Sequence, residues 1–117
     1  MAFSKKIVTP AGNVLGDYGV LVGIVAQQTQ GGLLANSCAI ALYASRETAD
    51  ADKPNVAMYR YPLNNVPYDP KDLAPVIDVI LKTKDSGIYD GNRQDRQAWQ
   101  PGWEGAELVD NPKGVGL

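Results

Sequence analysis

The sequence predicts an α+β fold: a small antiparallel β-sheet with one helix packed on a face and an extended C-terminal arm. Three observations carry this. Between Tyr18 and Leu63 lie three apolar segments that alternate with period two, the mark of strands. After Asp69 a single stripe of apolar residues follows helical spacing. From Asp85 to Leu117 neither period is present. The division that follows is a sheet-plus-helix domain over residues 1–84 and an arm over residues 85–117.

The elements follow in order. Lys6-Ile7-Val8-Thr9 is a short β-type segment that stops at Pro10, and Ala11-Gly12-Asn13 is turn chemistry. Tyr18 to Gln30 places Val20, Val22 and Ile24 on one face and Gly19, Leu21, Gly23 and Val25 on the other. Gly23 suggests a bulge or a place where another backbone comes close. Gln30-Gly31-Gly32-Leu33 is a hairpin turn. Leu34 to Arg46 has the alanine and leucine content of a helix, but the glycine turn and the β-rich segment before it favour a strand. Glu47 to Pro54 is a polar loop. Asn55 to Leu63 is a third strand, with Ala57, Tyr59, Tyr61 and Leu63 alternating with Val56, Met58 and Arg60. The strands form a meander.

Asn64 to Tyr68 is a turn, and Asp69-Pro70 opens the helix, the acid as N-cap and the proline at the first helical position. Leu73, Val76, Ile77, Ile80 and Leu81 form its apolar face. Pro75 would kink a helix capped by Asp69 but costs little in a first turn capped by Asp72. The helix therefore starts at Pro70 or Leu73 and runs to Lys84, where Lys82 and Lys84 suit the negative end of the dipole.

Composition narrows function. The chain has 117 residues, the length of one domain, with 11 basic and 13 acidic residues. A net charge of −2 gives no footprint for phosphate backbones, so nucleic acid is not an expected partner. There is no histidine, which removes His-based acid–base and nucleophile-activating arrangements and most transition-metal sites. The single Cys38 has no internal partner and reads as a small buried hydrophobe. No signal peptide and no membrane-spanning run is expected: the apolar stretch Tyr18–Ala26 is broken by glycines and short. Asp90 to Asp95 does not match a calcium loop, and no carboxylate pair stands out for hydrolysis. The expectation is a protein that is not an enzyme, with no catalytic residue, no cofactor and no metal.

The candidate functional residues are in the arm. Tyr89, Trp99, Trp103, Leu108 and Val109 are apolar side chains with no local core to enter. Trp99-Gln100-Pro101-Gly102-Trp103 stands out, because buried aromatics dominate interface energies. These tryptophans either anchor a partner, the favoured reading, or fold back on the chain's own sheet. Tyr59 and Tyr61, with Trp99 and Trp103, could instead present stacking surfaces to a sugar, which makes a carbohydrate-binding module the rival function. A small hydrolase comes third, since nothing supplies an acid–base pair.

The opening, Met1-Ala2-Phe3-Ser4-Lys5-Lys6-Ile7-Val8-Thr9-Pro10-Ala11-Gly12, is similar to the start of a group of small tailed-bacteriophage virion proteins. The order of a strand pair, Ala49-Asp50-Ala51-Asp52-Lys53-Pro54, a tyrosine-containing strand ending Tyr61-Pro62-Leu63-Asn64, then Asp69-Pro70 and one helix ending Leu81-Lys82-Thr83 is similar too. The resemblance covers residues 1–84. It implies a structural subunit of the particle, in the tail, baseplate, collar or fibre region, made in the host cytoplasm and located in the virion. Its implied partners are other virion proteins and further copies of itself, with no membrane insertion. No catalytic residue comes with it, and the arm departs from the shorter members.

Overall fold

The computed structural model describes residues 1–85 and 99–109. Its elements are β1 (Ala2–Val8), β2 (Val14–Thr29), β3 (Gly32–Tyr43), α1 (Arg46–Asp50), β4 (Ala57–Pro67), α2 (Ala74–Leu81) and β5 (Glu107–Val109). The five strands form one antiparallel sheet in the order β4-β3-β2-β1-β5. The first four strands are a meander, and β5 returns after α2 to pair Glu107–Val109 with Ser4–Ala2. Among the described residues no helix is long and apolar enough to cross a membrane.

The β2–β3 hairpin closes through Gln30-Gly31, with Thr29 opposite Gly32. Gly32 takes φ +114, open to glycine at no steric cost. The strand reading of β3 holds, although β3 ends at Tyr43. The polar loop after it contains a helical turn, α1. Ser45 accepts from Thr48 N, and Thr48 Oγ1 accepts from Ser45 N, which closes a capping box. Thr48 stands where a capping box usually carries Glu or Gln, so the signature is muted in the sequence.

β4 does not end at Leu63. Asn64 and Asn65 take φ of 53° and 60°, and pairing resumes beyond them: Ser37 faces Pro62 and Ala35 faces Val66. The two asparagines form a bulge inside the strand, because a residue that tolerates left-handed backbone serves a bulge as well as a turn. α2 starts at Ala74, next to the later of the two expected starts, and ends at Leu81, short of Lys84. Asp72 Oδ1 accepts from Ala74 N at 3.1 Å, Asp69 Oδ1 accepts from Lys71 N at 2.9 Å, and Pro75 lies in the first turn.

α2 lays Val76, Ile77 and Ile80 over one face of the sheet, where Leu21, Ile40 and Leu42 are buried. That face also receives Trp103, which is 0% exposed. The expected boundary at residues 84 and 85 therefore does not separate core from arm: the stretch from Trp99 to Val109 belongs to the domain. On the opposite face α1 covers a smaller cluster of Ala2, Tyr18, Val20 and Ala49.

Candidate interaction surface

The C-terminal segment is held by polar anchors to distant backbone. Thr83 O accepts from Trp103 N at 2.9 Å and from Glu104 N at 3.1 Å. Asp85 Oδ1 accepts from Gly102 N at 2.6 Å, and Lys5 Nζ donates to Gly102 O at 2.9 Å. A Cβ on Gly102 would collide with the backbone of Thr83 to Asp85, so the close approach requires glycine. Tyr61 Oη donates to Pro101 O at 2.8 Å and accepts from Trp103 Nε1 at 3.0 Å. The Trp103 ring lies 5.9 Å from that of Phe3, tilted by 43°, and occupies the space that a side chain at residue 19 would need. Gly19 in β2 is thus the floor of the tryptophan site. Burial pushes the Tyr61 hydroxyl well above the usual tyrosine range, so it remains a neutral donor.

This overturns the grouping of the arm residues as one set of free anchors. Trp103 fills the chain's own core, because Gly19 leaves a slot for its ring and Tyr61 satisfies its indole N–H. Trp99 is half-buried against the same core. Val109 packs against the smaller cluster on the opposite face, and Leu108 on β5 is 41% exposed. Tyr89 lies outside the described residues. Nor do the four aromatics of the sugar-binding reading form a platform: Tyr61 and Trp103 are buried, and Tyr59 and Trp99 are half-buried.

A further surface, marked by none of the candidate residues, lies on the sheet face away from α2. There Val22, Val25 and Met58 are 37%, 53% and 49% exposed. They border an open groove of about 320 Å³ that also takes in Gly23, Ala39 and Arg60. The signal was available: both faces of Val20 to Val25 are apolar, and no charged side chain stands between Asp17 and Arg46. Two apolar faces need two covers, and α1 covers only one end of the second. Burial pushes the Cys38 thiol up to about 11, which keeps it neutral and a poor nucleophile at neutral pH. No family model, curated protein or solved structure matches this chain.

Proposed function

We propose that the protein is a structural subunit of a bacteriophage virion, tail-associated, that binds neighbouring subunits through its sheet. The observation that carries the binding role is the exposed apolar strip Val22, Val25 and Met58 on a sheet face whose other end is already covered. Exposed apolar area of this kind, with Arg60 at its rim, suits protein contact better than solvent. The place in a particle is supported by the likeness of residues 1–84 to small virion proteins. The segment after Trp99 contributes by completing the fold that presents this face.

An affinity-tagged chain expressed during infection tests the role. Purified particles should contain it in fixed ratio to the other tail proteins. Recovery of the tagged chain only in the soluble fraction, with particles assembled normally without it, would contradict the proposal.

A further inference from the structure

β2 is 16 residues long and β1 only 7. Their ladder starts at Ala2 opposite Val20, and Leu21 N donates to Met1 O at 3.0 Å. Past that point, among the described residues, no strand lies beside β2 on the side away from β3. A register shift between Leu21 and Gly23 marks the place. From Gly23 to Thr29 β2 itself carries no inserted residue, since the next shift adds Asn36 to β3. Among the described residues, seven residues of strand, about 23 Å, thus have one edge without a partner.

The other long edge of the sheet is guarded. β4 runs along β3 from Leu42 to Leu34, and its own outer side carries Arg60, Pro62, Pro67 and the Asn64-Asn65 bulge. Prolines, charges and bulges are the usual devices against strand addition. Gly23 to Thr29, Gly-Ile-Val-Ala-Gln-Gln-Thr, has neither a proline nor a charge. A Cβ at Gly23 would meet nothing within 4 Å, so the chain's own packing does not demand glycine there.

We propose that a second copy of this chain fills this edge, the two Gly23–Thr29 stretches pairing antiparallel across a two-fold axis to make one continuous sheet. Such an interface is self-complementary. Each copy carries a net charge of −2, yet the paired stretches are uncharged and meet without like-charge repulsion. The symmetry also places the exposed Val22 and Val25 of both copies on one shared face. The chain's own end is a competing occupant, because Val109 lies beside Ala2 near this edge. Its sequence, Asp-Asn-Pro-Lys-Gly-Val-Gly-Leu, has Pro112, Gly114 and Gly116 where a ladder needs N–H donors and strand formers. The pairing deepens the subunit reading and rests on it for its purpose.

The test is the solution mass of the full chain across a wide concentration range, with Val25→Lys and Val25→Thr beside it. Wild type and Val25→Thr should reach twice the 12.5 kDa of one chain. Val25→Lys should stay at the mass of one chain with an unchanged circular dichroism spectrum. Should the lysine variant not fold, hydrogen exchange on wild type decides: alternate amides of Gly23–Thr29 should slow at least about tenfold as the dimer forms. A wild type that stays monomeric overturns the pairing, as does a dimer that survives Val25→Lys. Protection of these amides in the monomer, lost on removing residues 110–117, assigns the edge to the chain's own end and overturns it equally. A monomer that still enters particles sinks the pairing and spares the subunit role; a dimer absent from particles does the reverse.

Discussion

The segment from Trp99 to Val109 and the stretch from Val22 to Thr29 reverse what their sequences suggest. The first has no apolar period, yet it buries Trp103 completely and is held by Thr83, Asp85, Lys5 and Tyr61. The second belongs to the chain's longest strand, yet Val22 and Val25 remain exposed and one edge has no strand beside it among the described residues. Period reports which faces an element could bury. It does not report what covers them. An aperiodic segment is ordered instead by one large side chain in a prepared slot and by hydrogen bonds to backbone far away in sequence.

The largest expected effect is at the tryptophan. Trp103→Ala should destabilise the domain by about 3–5 kcal/mol, read from the shift of the urea midpoint at constant slope. A cost below 1 kcal/mol would return Trp103 to the role of a free anchor. Gly19→Ala pushes a methyl into the indole ring and should cost about 1–3 kcal/mol. Combined with Trp103→Ala it should cost less than the sum, since the slot is then empty. Tyr61→Phe leaves Pro101 O and the indole N–H without their partner and should cost about 1–3 kcal/mol, with the fold retained.

The buried thiol sharpens the contrast through pH. Cys38 is held at about 11 in the fold against an ordinary 9.0, by desolvation. The unfolded chain ionises first as pH rises, so this contribution is intact below about 9 and is lost between about 9 and 11. Tyr61 pushes in the same direction at higher pH. Denaturation midpoints should fall over that range, and less steeply in Cys38→Ala. The smallest effect belongs to the open face: Val25→Lys should change monomer stability by under about 0.5 kcal/mol, because its side chain already meets water.

Much of the fold was legible. The alternation around Val20, Ile40 and Tyr61 marked the strands, Gln30-Gly31-Gly32 marked the hairpin, and Val76, Ile77 and Ile80 marked the inward side of α2. The start of β1 was hidden because Ser4, Lys5 and Lys6 interrupt the apolar pattern around a bulge between Ser4 and Ile7. α1 was hidden by a capping box that uses Thr48. β5 could not be read at all. It is three residues long, and the docking of Trp103 over Gly19 shortly before it is a contact that no local pattern encodes. The open strip was legible in the uncharged run after Asp17, but only strand lengths show that β1 stops short of covering β2's edge.

Hydrogen exchange on the full chain at several concentrations tests both regions at once. Trp103 N–H, bonded to Thr83 O, should exchange among the slowest amides at every concentration. Alternate amides of Gly23–Thr29 should exchange quickly in dilute solution and slow as concentration rises. Early exchange at Trp103 would contradict its place in the core, and concentration-independent exchange along Gly23–Thr29 would contradict the pairing.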